Sequence, residues 1–217
     1  MKYLFILFAV FIAIACNRKP QTITQVDFKT FESKMNTGAP LTQEEVNKLM
    51  WKFQLDIQKN TTGRLLPDLQ ICDVQGNEYN LPDIIRRKTI IEISDAHCGF
   101  GIGCTLNDLP GIIARLKEKY DDFDVVCLVI KTKADNNGHN PFNTYLTDLK
   151  PLYPALYVID EGDAGKLNVA GSPTRLLVDK NRTVVKISTG MAVDPELLYN
   201  ELAGFLKDVH GNLFKRD

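Results

Sequence analysis

The chain has 217 residues and a formal net charge of −1 at pH 7, with 44% hydrophobic and 24% charged residues. This length fits one domain of ordinary size, alone or with an appendage, and the composition is that of a globular protein. The near-neutral charge gives no reason to expect nucleic acid as a partner.

The first fifteen residues have the features of an export signal. Lys2 is followed by an apolar run, Tyr3 to Ala15, that is too short to cross a bilayer comfortably and has the length of a signal-peptide core. The run ends in Ala-Ile-Ala before Cys16, which resembles the lipobox of bacterial lipoproteins. The resemblance implies cleavage before Cys16 and a lipid on that cysteine. The alternative is a plain secretory signal with a chance cysteine. Both place the protein outside the cytosol, in the cell envelope or beyond, where disulfides are permitted.

A polar stretch follows Cys16 and leads into an amphipathic pattern. Thr42 and Glu45 form a capping box, which predicts that a helix begins there and ends near Asn60 to Gly63. We expect this helix to pack on the main domain as an extension. Its apolar positions fall on one helical face: Val46, Leu49, Met50, Phe53 and Ile57.

From Leu66 onward, predicted strands and helices alternate. The predicted elements are a hairpin over 66–81, a strand over 88–94, a helix over 109–120, a strand over 124–131, a helix over 141–149, a strand over 155–160, a hairpin turning at 180–181 and a helix over 195–209. This order predicts an α/β fold in which helices flank a mixed central sheet.

Three segments of this domain resemble the thioredoxin-like superfamily, in the TlpA/ResA-like, AhpC/TSA-redoxin branch of tethered proteins. LPDLQICDVQGNEYNLPDI resembles the family's opening hairpin, and IIEISDAHCG its strand running into the active-site cysteine. NVAGSPTRLLVDKNRTVVKISTG resembles the hairpin that follows the family's cis-proline. The resemblance spans about Leu66 to Val209. The predicted division is a signal peptide at 1–15, a lipid-anchored tether at 16–40, the helical extension at 41–63, a thioredoxin-like domain at 64–210 and a tail at 211–217.

The resemblance also implies a site. Cys98 follows a buried strand and precedes a helix, so it takes the place of the attacking cysteine, whose thiolate a helix N-terminus stabilises. Pro173 would be the cis-proline facing it, and Ser172 would offer its backbone to a substrate strand. Glu92, six residues before Cys98, would be the buried acid that moves protons to and from the second cysteine. Alternatively, Glu92 lies at an exposed strand end or pairs with Lys88 or another base.

The cysteine spacing departs from the family pattern, because Cys98 and Cys104 are separated by five residues rather than two. Residues six apart in a straight helix lie about 9 Å apart along its axis. A disulfide needs Cα atoms roughly 4.4–6.8 Å apart. Since Gly99, Gly101 and Gly103 are poor helix formers, we expect a loop there, with the helix beginning near Cys104 or Thr105.

Such a loop would let Cys104 return to Cys98 and form a redox-active disulfide. The alternative is that Cys104 begins the helix as a small apolar residue without a redox role. His97 stands where the family often has tryptophan; it either favours the thiolate when protonated or is a surface residue beside the site.

The expected function is that of a membrane-anchored thiol–disulfide oxidoreductase that acts on exported proteins. An electron-donor protein is expected as its partner. No separate cofactor or metal is expected beyond the proposed Cys98–Cys104 disulfide. Cys72 and Cys127 lie in apolar strands and are expected to pack in the core.

Two other functions stay open. A peroxiredoxin-like peroxidase needs a threonine or serine three residues before its cysteine; here Asp95 holds that place, and Arg175 does not match the family's position. A copper-binding module would use the two cysteines with His97 or His139, at a spacing unlike that of the known copper carriers of this fold.

Overall fold

The computed structural model describes residues 20–207, apart from residues 37, 39, 137–140 and 191–193. The predicted signal peptide, the lipidation site Cys16, His139 and the predicted tail therefore lie outside the described residues. None of the helices in the described ranges is long and apolar enough to cross a membrane.

Seven strands form one mixed sheet in the order β2-β1-β5-β4-β3-β6-β7. The central strands β3, β4 and β5 run parallel, and the other pairings are antiparallel. The strands are β1 (Gln70–Asp73), β2 (Glu78–Asn80), β3 (Lys88–Asp95), β4 (Phe123–Lys131), β5 (Ala155–Asp160), β6 (Thr174–Val178) and β7 (Val184–Thr189). The predicted mixed α/β sheet is confirmed.

Helices cover both faces of this sheet. The α-helices are α1 (Phe28–Met35), α2 (Gln43–Thr61), α3 (Leu81–Ile84), α4 (Gly99–Gly103), α5 (Leu109–Lys117), α6 (Pro141–Leu149), α7 (Glu161–Lys166) and α8 (Pro195–Lys207), with a π-helix at Cys104–Asp108 and a 3₁₀ turn at Lys133–Asn136. Two apolar clusters fill the layers on either side of the sheet. Strand β3 is buried from Thr89 to Ser94, as expected for a central strand covered on both faces.

The helical extension begins with the predicted capping box. The backbone N–H of Thr42 donates to Glu45 Oε2 at 2.9 Å, and the N–H of Glu45 donates to Thr42 Oγ1 at 3.3 Å. Only the second half of α2 packs on the domain, through Phe53 and Ile57, while Met50 of the same predicted face is 39% exposed. The reason is that the C-terminal half of α2 contacts the edge strand β7, where Gln58 donates to the Ile187 carbonyl. The same helix contacts α1 through the stacked rings of Phe31 and Phe53.

The predicted glycine loop is wrong, because Gly99–Gly103 is a helix that continues through the π-helix into α5. The helix begins directly after Cys98, whose carbonyl accepts a hydrogen bond from Ile102 N at 2.9 Å. Tertiary packing outweighs the weak helix propensity of glycine here, since α5 buries a full apolar face on the sheet. The helix therefore starts at Gly99 and not near Cys104 or Thr105.

Candidate active site

Cys98 lies where the end of β3 turns into α4. Its backbone N–H donates to the carbonyl of Asp95 at 3.1 Å, which forms the turn. The residue is half-buried, and its Sγ donates to the carbonyl of Ser172 at 3.4 Å. The Ser172–Pro173 peptide bond is cis, as predicted. The structure thus brings Cys98, Ser172 and Pro173 together at the N-terminus of a helix.

The Ser172 loop packs closely against the end of β3 and against this helix. Ser172 Oγ accepts a hydrogen bond from the backbone N–H of Asp95 at 2.9 Å. A Cβ atom on Gly101 would overlap Ser172 Oγ and lie 3.0 Å from Ser172 Cβ and 3.3 Å from its carbonyl carbon. Gly101 is therefore required by close approach, whereas an added Cβ at Gly99 or Gly103 meets nothing within 4 Å.

Glu92 is fully buried and pairs with Arg175. The two residues face each other on the neighbouring strands β3 and β6, and Arg175 Nη2 lies 3.0 Å from Glu92 Oε1 and 2.8 Å from Oε2. Thr105 Oγ1 is 3.5 Å from Glu92 Oε1. Of the predicted alternatives, the structure has the buried glutamate paired with a base, and that base is Arg175 rather than Lys88. Burial raises the pKa of the Glu92 carboxyl, and the Arg175 guanidinium opposes this rise.

Cys104 lies beside this ion pair. Its Sγ is 4.0 Å from Arg175 Nη2, and the residue is 2% exposed. Burial raises the pKa of the Cys104 thiol, the Glu92 charge adds to the rise, and Arg175 opposes it. The π-helix that begins at Cys104 leaves backbone groups outside the regular α-helical pattern, and Tyr153 donates its hydroxyl to the Thr105 carbonyl at 2.7 Å.

The two cysteines are free thiols in this structure, and Cys104 does not fold back on Cys98. They are six residues apart on a continuous helical path, about 9 Å along the axis, whereas a disulfide needs Cα atoms roughly 4.4–6.8 Å apart. The physical reason is the helix at Gly99–Gly103, which takes the place of the predicted loop. Cys98 is thus the more accessible thiol and Cys104 the buried one.

His97 pairs with a residue that the sequence did not single out. Its Nε2 lies 2.8 Å from Asp135 Oδ1, while Asp135 Oδ2 accepts hydrogen bonds from Thr132 N at 2.7 Å and Thr132 Oγ1 at 2.9 Å. The Asp135 side chain is buried, and that of His97 is 38% exposed. The pair joins the residue before Cys98 to the turn after β4.

From the sequence, Arg175 is a candidate only for a peroxidase site, where it does not match the family's position. A signal for its actual partner was present, because an arginine within the apolar run TRLLV must find a buried anion. The side chain reaches Glu92 and Cys104, so this arginine sits by the buried thiol.

Among the described residues, which do not include His139, the donor geometry does not match a copper site. Within the described residues, no group of three or more histidine, cysteine or acidic side chains is placed to hold a metal ion. Cys98 and Cys104 lie on successive stretches of one helical path, too far apart to share one ion in this arrangement.

No protein-family model and no curated protein matches the chain, but solved structures do. A thiol:disulfide interchange protein from Bacteroides sp. matches with a TM-score of 0.51 and 18% identity, over 69% of this chain and 92% of that chain. The thioredoxin domain of a thiol-disulfide oxidoreductase from Bacteroides vulgatus matches with a TM-score of 0.52 and 18% identity, over 68% and 99%. Yeast Sco1 gives 0.52 and 18%, over 68% and 97%. The chain therefore has the thioredoxin-like fold predicted from its sequence.

Proposed function

We propose that the protein is a thiol–disulfide oxidoreductase that acts on exported proteins outside the cytoplasm. One observation carries the proposal: the half-buried Cys98 thiol lies at a helix N-terminus, 3.4 Å from the Ser172 carbonyl and beside cis-Pro173. Thiol–disulfide exchange needs a cysteine that a substrate disulfide can reach, and Cys98 is more accessible than Cys104. Two solved structures of this fold are named for the same chemistry, which makes it the first to test.

In the first step, the Cys98 thiolate attacks one sulfur of a substrate disulfide. A Cys98–substrate disulfide forms, and the other substrate sulfur leaves as a thiolate that takes up a proton. The backbone of Ser172 would hold the substrate segment in an extended conformation next to Cys98. His97 lies beside this step, with one imidazole nitrogen directed to Asp135.

In the second step, the Cys104 thiolate attacks the Cys98 sulfur of the mixed disulfide. The second substrate thiol is released, and a Cys98–Cys104 disulfide remains until an electron-donor protein supplies two electrons and two protons as a dithiol. Glu92 serves as the proton acceptor for Cys104. This step requires α4 to unwind. Three of its five residues are glycine, each less favourable in a helix than alanine by about 1 kcal/mol, so the opening is inexpensive.

The attacking role of Cys98 is tested by replacing single cysteines and following the reduction of a standard protein disulfide. Cys98→Ser is expected to lower the rate to background, and Cys104→Ser is expected to accumulate the mixed disulfide. Cys72→Ser is the matched control, because Cys72 is also a half-buried free thiol but lies on β1. Reduction by Cys98→Ser at the wild-type rate would end the proposal.

The unwinding step is tested with Gly99→Ala and Gly103→Ala, where an added methyl group meets nothing within 4 Å. Each alanine stabilises the helix by about 0.5–1 kcal/mol. Mixed-disulfide formation at Cys98 should keep its rate, while closure to Cys104 should slow by roughly two- to fivefold for each alanine. Closure at an unchanged rate in the double variant would show that the helix does not open.

We also propose that the mature chain is anchored by a lipid on Cys16, as its resemblance to a lipobox suggests. Labelling cells with a fatty-acid probe should mark the wild-type protein and leave Cys16→Ser unmarked and released from the membrane fraction. A Cys16→Ser protein that stays lipid-labelled would exclude this anchor without affecting the redox proposal.

A further inference from the structure

One nitrogen of the Arg175 guanidinium lies next to two buried acidic groups, the Glu92 carboxyl and the Cys104 thiol. Arg175 Nη2 lies 3.0 and 2.8 Å from the carboxylate oxygens of Glu92 and 4.0 Å from Cys104 Sγ. Glu92, Cys104 and Arg175 are 0%, 2% and 3% exposed. One cation therefore faces two acidic groups in a space closed to water.

The net charge of the cluster formed by Glu92, Cys104 and Arg175 stays constant when a proton moves between Glu92 and Cys104. If Glu92 and Cys104 were both ionised, the buried cluster would carry a net charge of −1, which is costly in a medium of low polarity. With one proton shared between them, the cluster is neutral whichever group carries it, and the two groups titrate as a coupled pair.

We propose that Arg175 is a positioning residue for the resolving step: it neutralises the Glu92 carboxylate while Cys104 is a thiol, and it neutralises the Cys104 thiolate once the proton has moved to Glu92. The proton leaves Cys104 Sγ and ends on the Glu92 carboxylate, so no charge enters or leaves the cluster. This inference rests on the proposed function, since it concerns how the second thiol of that reaction becomes a nucleophile.

Other titratable groups face the cluster from the neighbouring elements. They are Asp108 on the π-helix, Cys127 on β4, Tyr145 on α6, Tyr153 before β5 and Glu201 on α8. Burial raises the pKa of Cys127, Tyr145 and Tyr153, Tyr145 to about 12, so these groups are neutral at physiological pH. Glu201 is itself paired with Lys186, 2.8 Å away. Arg175 is thus the cation in contact with both acids.

The test separates the two steps by reacting the reduced protein with an aromatic disulfide such as Ellman's reagent. Attack by Cys98 releases a first equivalent of aromatic thiol, and attack by Cys104 on the mixed disulfide releases a second. The rate of the second release is measured against pH in the wild type, Glu92→Gln, Arg175→Lys and the double variant Glu92→Gln/Arg175→Met.

Glu92→Gln alone and the double variant Glu92→Gln/Arg175→Met should move this pH profile in opposite directions. In Glu92→Gln, Arg175 faces Cys104 alone, so the midpoint should fall by about one pH unit or more. In the double variant the thiolate has no counter-ion, so the midpoint should rise by about as much, with the rate at pH 7 at least roughly tenfold lower. Arg175→Lys keeps a cation there and should stay within a few-fold of the wild type.

The first release is measured in each variant as an internal reference, and the rate of the second release is compared with it. Midpoints that move together in Glu92→Gln and the double variant, or a wild-type second step independent of pH, would overturn the role of Arg175. If Cys98→Ser released the first equivalent of aromatic thiol at the wild-type rate, the proposed function would be overturned instead. Because the double variant leaves no unpaired buried charge, it keeps the test usable if Glu92→Gln fails to fold.

Discussion

Gly101 lies so close to the cis-proline loop that a methyl group has no room there. A Cβ at this position would overlap Ser172 Oγ and lie 3.0 and 3.3 Å from the Cβ and carbonyl carbon of Ser172. The hydroxyl cannot simply rotate away, because its oxygen accepts the Asp95 N–H bond at 2.9 Å. Gly101→Ala must therefore shift the loop or break this bond.

The size of the effect follows from three contributions. Alanine gains about 0.5–1 kcal/mol over glycine within a helix. Overpacking costs about 1–3 kcal/mol, and leaving the partly buried N–H of Asp95 without a partner costs about another 1 kcal/mol if its bond breaks. We expect Gly101→Ala to lower the free energy of unfolding by about 2 kcal/mol.

Urea denaturation followed by circular dichroism measures this change, with Gly103→Ala as the matched control. Gly103 lies in the same helix, but its added Cβ meets nothing within 4 Å, so this variant should gain about 0.5–1 kcal/mol. Combining Gly101→Ala with Ser172→Gly removes the obstructing side chain and should recover part of the loss. If Gly101→Ala proved as stable as Gly103→Ala, the close packing of the loop on the helix would be refuted.

Three further predictions concern the thiols and the extension. In the native protein, iodoacetamide should modify Cys98 on the order of 100-fold faster than Cys104, which is 2% exposed, because reaching a buried thiol requires a local opening of about 3 kcal/mol. Mass spectrometry without denaturant measures both rates, and comparable rates would contradict the burial of Cys104. Burial raises the pKa of Cys127 well above 9.0, so the native state keeps a proton that the unfolded chain loses. Stability should therefore fall as pH rises above 9, and Cys127→Ala, unlike Val129→Ala on the same strand, should reduce that slope by up to about 1.4 kcal/mol per pH unit in urea titrations. Thr42→Ala removes the hydroxyl that caps α2 and should destabilise this helix by about 1 kcal/mol, seen as faster amide exchange in its first turns; unchanged exchange would mean that the cap contributes nothing.

Local patterns were sufficient for most of the fold. The capping box at Thr42, the buried parallel strand around Cys127 and the hairpin after Pro173 each depend on neighbours within one element or one turn, and all three appear as predicted. Glu92 could also be predicted to be buried, because it stands inside an apolar strand. These features follow from the spacing of apolar, turn-forming and capping residues, which the sequence displays directly.

The sequence by itself thus determined the order of the elements and the mixed α/β class of the fold, and its resemblance to the thioredoxin-like superfamily predicted that Cys98 lies beside Ser172 and Pro173. Only the tertiary structure decided what surrounds the second cysteine. Arg175 meets Glu92 because β6 pairs with β3 in one particular register, and Cys104 joins them because α5 docks on the sheet and carries the glycine stretch into a helix. Glycine propensities argued for a loop, but the long-range packing of a buried helix outweighs a few kcal/mol of local preference.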